Sequence, residues 1–194
     1  MNANNMEILP SGLPIPVDDG GCDHLLGMSL PNVSLSSSAG ELINLSLLTD
    51  RYTVIYFFPM AWTHHATLPA NWNDIPGARG CTPQSCSFRD RIAELVAHDA
   101  RVIGISTQPQ QHLEEIAERL HLAYPLLSDS ELILTSALRL PTFQAGPATF
   151  LKRLTIIVSK NTIQKTFYPV FPPNENVSGV LSWLHAGHAH TDRS

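Results

Sequence analysis

The sequence predicts an α/β sandwich, and three observations carry that prediction. The runs "RYTVIYFFP" (51–59) and "ARVIGIST" (100–107) are nearly continuous in β-branched, aromatic and aliphatic residues, the pattern of strands buried on both faces. Each is followed by a segment with helical spacing of its apolar residues. A pair of strands around Lys160 and Asn161 and a last helix then close the chain. Strands and helices alternating in this way pack as layers around a central sheet.

The elements follow in order. Residues 1–29 are rich in Asn, Pro and Gly and read as an irregular arm ahead of one domain over 30–186, with 187–194 as a disordered tail. "NVSLSS" and "ELINLS" alternate apolar with polar residues around "SAG", which predicts a hairpin. After the strand stopped by Pro59 comes a long irregular segment, 60–80, of the length at which loops in compact domains are functional. From Cys81 a helix is expected, with Phe88, Ile92, Leu95 and Val96 forming one apolar stripe. Past "ARVIGIST", Pro109 opens a helix that carries Leu113, Ile116 and Leu120 on one face. "YPLLSD" reads as a short strand. "SELILTSALRL" reads as a helix capped by Ser130 and stopped by Pro141, and "PNENVSGVLSWLHAG" as the final helix.

With 194 residues, 43% of them hydrophobic, the chain can bury one good core. A net charge of −5 and the lack of any Lys/Arg stripe argue against nucleic acid as a partner. No apolar run reaches the roughly 20 residues of a membrane span. The first fifty residues hold no Lys or Arg, which supports neither a secretory nor a transit signal. A soluble, cytoplasmic protein is the expectation, monomeric or weakly dimeric, and in a reducing compartment cysteines serve catalysis or metal more often than structure.

Two of the three cysteines, Cys81 and Cys86, share the segment "GCTPQSCSFRD". On one ideal helix, residues five apart have Cα atoms about 8.7 Å from each other. A disulfide tolerates roughly 4.4 to 6.8 Å. Either the two thiols are unrelated, or the start of the helix must unwind for them to meet. Pro83 removes a backbone donor, and Gly77 and Gly80 soften the entry. A cysteine at a helix N-terminus is favoured as thiolate, so Cys81 is the candidate nucleophile.

The same block resembles the atypical two-cysteine peroxiredoxins of the bacterioferritin-comigratory or Q type, with their Pro-Gly-Cys-Thr-x-Glu-x-Cys-x-Phe-Arg-Asp signature. "VIYFFPM" and "RLTIIV" resemble that family's strands on either side. The resemblance covers roughly residues 30–184 and implies a thioredoxin-like fold of peroxiredoxin type, a central mixed sheet flanked by helices. It implies that Cys81 attacks peroxide and becomes sulfenic acid, and that Cys86 resolves it as a disulfide. It also implies that Arg153 stabilises thiolate and peroxide, that Pro59 shields the pocket, and that thioredoxin or a similar dithiol restores the enzyme. No cofactor or metal is implied.

The sequence departs from that pattern in three places. The family's threonine three residues before the cysteine is Ala78 here, and seventeen residues part Thr63 from Cys81. The threonine role is assigned to Thr63, ahead of Thr82, Thr67 or the backbone. Gln84 stands where the signature has Glu, and Arg79 adds a cation. The 60–80 insertion, with Trp62, His64, His65 and Trp72, reads as a lid that selects the peroxide. Cys22 reads as an incidental thiol, Arg79 and Arg89 as solvated charges, and His185, His188 and His190 as part of the tail. Two alternatives stay open: a redox-sensing or binding module with little turnover, and a zinc site using His64 or His65 with the cysteines.

Overall fold

The computed structural model describes residues 9–64 and 66–191. In chain order its strands are β1 (Ser34–Ser37), β2 (Leu42–Asn44), β3 (Tyr52–Phe57), β4 (Ala100–Ser106), β5 (Leu126–Ser128), β6 (Thr142–Ala145), β7 (Ala148–Leu151), β8 (Leu154–Ser159) and β9 (Thr162–Phe167). Its helices are α1 (Cys81–Asp90), α2 (Ile92–Ala97), α3 (Gln110–Arg119), α4 (Ile133–Leu138) and α5 (Asn176–Thr191). Seven strands form one mixed sheet in the order β2-β1-β5-β4-β3-β8-β9, and β6 and β7 pair as a separate hairpin.

β3 lies at the middle because both its edges are used. It runs parallel to β4, with Tyr52 opposite Ala100, and antiparallel to β8, with Phe57 opposite Leu154. Its side chains alternate between two cores. Ile55 and Phe57 join Leu25, Ile103, Leu127 and Leu154, while Val54, Tyr56 and Phe58 join Phe88, Leu113, Ile116 and Leu181. Gly104 on β4 faces Tyr56, and a Cβ there would come within 2.7 Å of the tyrosine ring, so only glycine admits it. That close approach lets Tyr56 stack on Phe88 of α1 at 4.8 Å and hydrogen bond with Ser85 at 2.9 Å, fixing α1 on the sheet.

Four local differences from the sequence reading have identifiable causes. The helix from Cys81 breaks at Arg91 (φ −112°, ψ 18°), so the apolar stripe does not continue, and Val96 is 62% exposed while Leu95 is buried. Ser130 does not cap α4: the Asp129 carboxylate accepts from the backbone N–H groups of Leu134 and Thr135 and from the Thr135 hydroxyl. The β6–β7 hairpin was not anticipated. α5 continues to Thr191, through residues expected as tail, while 192–194 lie outside the described residues.

The arm, over the described residues 9–29, is irregular but packed. Cys22 and Leu25 are buried, Ser29 bridges to Thr162, and Asp19 binds Lys152 and the Tyr168 hydroxyl, which hold its carboxyl well below the usual carboxylate range. No described helix is long and apolar enough to cross a membrane.

Candidate active site

Cys81 is the first residue of α1. Gly80 before it takes a left-handed conformation (φ +99°), which turns the chain sharply into the helix. Backbone N–H groups in the first turn of a helix lack partners within it and favour negative charge nearby. Cys81 is 3% exposed, so its environment is set by protein atoms rather than by water.

Arg153 supplies the principal charge. It directly precedes β8, whose pairing with β3 carries it to the end of the sheet where α1 begins. It is 3% exposed, and its Nη2 donates to Cys81 Sγ at 3.1 Å and to the carbonyls of Gly77 (3.2 Å) and Arg79 (3.1 Å). Its Nη1 donates to Gln84 Oε1 in a short hydrogen bond. Gln84 Nε2 in turn donates to Asn176 Oδ1 at 3.0 Å, which also accepts from Thr155 Oγ1 at 2.7 Å. α1, β8 and α5 thus hold the guanidinium in one place. Among the described residues its hydrogen bonds go to the Gln84 amide, to backbone carbonyls and to the sulfur, so a thiolate at Cys81 would be its counter-charge.

The thiol form of Cys81 donates to Ala78 O over a long 3.6 Å. A thiolate cannot donate, so ionisation gives up that contact and strengthens the one from Arg153.

Cys86 lies on the same intact helix, half-buried against the core that holds Phe88, and no disulfide joins it to Cys81. Arg79, read from sequence as a solvated charge, is instead 7% exposed in the wall beside Cys81. Burial pulls its guanidinium below the ordinary value, and the neighbouring sulfur opposes that shift. Nothing in the period of residues 75–81 distinguishes a buried arginine from an exposed one; only the cavity it lines does.

The remaining candidates divide. Thr63 is fully buried with its hydroxyl unpartnered among the described residues. It does not line the cavity at Cys81, whereas Thr82 does. Pro59 is buried, and its carbonyl accepts from the Ser106 hydroxyl at 3.0 Å. Trp62 and Trp72 line the cavity together with Met60, Ala61 and Ala78. His64 does not; it is exposed and binds Glu115 at 2.7 Å, and His65 lies outside the described residues. No cluster of three or more metal-ligating side chains occurs among the described residues. Arg89 is held by Asp90 and by the carbonyl of Leu120. Asn176 and Thr155 were missed by sequence reasoning, because neither sits in a local motif with the cysteines.

Cys22 stands apart. Burial and then the charges of Asp18, Asp19 and Asp23 push its thiol up to about 12, so it stays protonated.

The sequence profile of the Redoxin family matches residues 25–184. The chain belongs to the Redoxin family. Its relatives there are peroxiredoxins of the Bcp and Q type. It is 28% identical over 161 residues to peroxiredoxin Q, chloroplastic, of Oryza sativa subsp. japonica, covering 82% of this chain and 66% of that protein. It is 26% identical over 157 residues to peroxiredoxin Bcp of Escherichia coli, covering 79% of this chain and 91% of that one. The chain therefore spans just under two thirds of the rice relative's length. The crystal structure of Mycobacterium tuberculosis peroxidoxin BcpB superposes with a TM-score of 0.68 at 24% identity, over 83% of this chain and 96% of that chain, which supports the peroxiredoxin form of the thioredoxin-like fold.

Proposed function

We propose that the chain is a thiol peroxidase acting through Cys81 and Cys86. The observation that carries this reading is the 3.1 Å contact from a buried arginine to a cysteine sulfur at a helix N-terminus, in a member of the Redoxin family. The Cys81 thiolate attacks one peroxide oxygen. The O–O bond breaks, the sulfur becomes sulfenic acid, and the departing oxygen takes up a proton as water or alcohol. Arg153 stabilises both the thiolate and the developing oxyanion. The first turns of α1 then open, and the Cys86 thiol attacks the Cys81 sulfur. Water leaves and a disulfide forms, which a thioredoxin-type dithiol reduces by exchange. A reducing, cytoplasmic setting belongs to the same reading.

One equivalent of peroxide is expected to consume two thiols per chain, and peptide mapping to find the Cys81–Cys86 bridge. Cys81→Ser abolishes turnover, and activity retained in that variant would rule out the nucleophile. Cys86→Ser stalls at sulfenic acid. A redox-sensing role has one observation in its favour: Ala78 replaces the family's threonine, and the Thr63 hydroxyl is not in the cavity. Stopped-flow oxidation separates the two, since a sensor with little turnover reacts slowly.

A further inference from the structure

The family does not determine how large a peroxide this chain accepts, but the insertion at 60–80 bears on it. The cavity that reaches Cys81 measures about 10 Å³. A cavity needs roughly 10–15 Å³ of such space to hold one water. Hydrogen peroxide exceeds a water by a single oxygen and needs the walls to give only slightly, whereas an aryl or branched alkyl hydroperoxide brings a bulky carbon group that requires them to part. Two tryptophans from the insertion, Trp62 and Trp72, are the largest side chains in its wall.

Neither tryptophan is loosely held. The Trp62 carbonyl accepts from Arg119 Nη2 at 2.8 Å, and the same guanidinium lies over the indole at 5.4 Å. The residue before it, Ala61, is fixed by both backbone groups to Gln108, at 2.8 and 3.0 Å. Trp72 is 3% exposed and packs edge-on against Phe150 at 5.0 Å and tilted against Phe143 at 5.9 Å. Widening the cavity therefore requires breaking contacts with the end of α3 or with the β6–β7 hairpin. The larger apolar cavity nearby, of about 290 Å³, is walled by Ile15, Val17, Ile75, Phe143 and Arg153 among others but not by Cys81, so it offers no direct seat for an attacked oxygen.

We propose that the chain is selective for hydrogen peroxide over bulky organic hydroperoxides, and that Trp62 and Trp72 are the side chains that enforce the selection. The proposal rests on the reading of Cys81 as the residue that attacks peroxide. Selection here works by steric exclusion: the reacting –O–OH group is common to both substrates and only the carbon substituent is refused.

The test is single-turnover oxidation of the reduced full chain, followed separately with hydrogen peroxide and with cumene hydroperoxide. The unmodified chain is expected to favour hydrogen peroxide on the order of 100-fold or more, and Trp62→Ala to narrow that ratio at least about tenfold by raising the cumene hydroperoxide rate. Trp72→Ala acts in the same direction. Because Trp72 is a core residue, Trp72→Phe and a circular dichroism spectrum of each variant accompany it. Comparable rates with the two peroxides in the unmodified chain, or an unmoved ratio in folded Trp62 and Trp72 variants, would overturn the selection while leaving the peroxidase reading intact. Absence of Cys81 oxidation by either peroxide would remove the reading beneath it.

Discussion

Cys81 and Cys22 are equally hidden from solvent, at 3% and 4% exposure, yet the charges around them have opposite sign. Cys81 has Arg153 in contact and Arg79 in the adjoining wall. Cys22 has Asp18, Asp19 and Asp23 about it, while Lys152, the cation that opposes them, is already bound to Asp19. Burial alone disfavours a thiolate at either place. On the proposed reading, the charges buried with each sulfur are what separate the nucleophile Cys81 from Cys22.

The largest effect comes from removing the cation. Arg153→Met is expected to slow oxidation of Cys81 by hydrogen peroxide at pH 7 by about 100-fold to 1,000-fold, with far-ultraviolet dichroism unchanged. A loss below about threefold in stopped-flow traces would mean that the contact does not govern reactivity.

A subtler change adds a rival anion. Gln84→Glu places a carboxylate on Arg153 Nη1, where the neutral amide now sits. The guanidinium then has a second counter-charge, and its pull on the sulfur weakens. The expected result is a roughly tenfold lower rate at pH 7 and a pH–rate profile displaced toward alkaline pH. A lower rate without the displacement would point to altered positioning instead.

The smallest effect concerns Cys22. With its titration pushed up to about 12, it holds on the order of 1,000-fold less thiolate at neutral pH than an ordinary thiol. Iodoacetamide is expected to label it only after unfolding. The linkage has a definite sign. Above the ordinary thiol range the unfolded chain loses the Cys22 proton while the folded chain keeps it until about pH 12, so folding stability falls as pH rises across that window. Urea midpoints at pH 8 and pH 10 should show a steeper decline in the unmodified chain than in Cys22→Ala.

These outcomes bear on what was legible in the sequence. β3 and β4 were readable because they are buried on both faces and therefore carry unbroken apolar runs. The hairpin of β6 and β7 was not, since its strands are four residues each and largely polar or aromatic around Gly146 and Pro147. Cys81 could be argued from helix electrostatics. Arg153, more than seventy residues away, was assigned by resemblance, because no spacing rule ties it to the cysteines. Arg79 was legible as a cation next to Cys81 but not as a buried one, and Asn176 and Thr155 were not legible at all: they owe their place to packing among elements distant in sequence, where a buried polar residue looks like a surface one.

Gly80 has one more consequence. A side chain there would collide with Pro173 and approach Leu9 to 2.8 Å. Leu9 lies upstream of residue 25, where the likeness to the family begins. A protein trimmed to the shared region keeps both helix thiols and the arginine, yet loses the Leu9 side chain that packs over Gly80 before Cys81. It also removes Asp19 from Lys152, the immediate neighbour of Arg153. The packing around the start of the helix thus draws on chain that lies outside the part held in common with its kin.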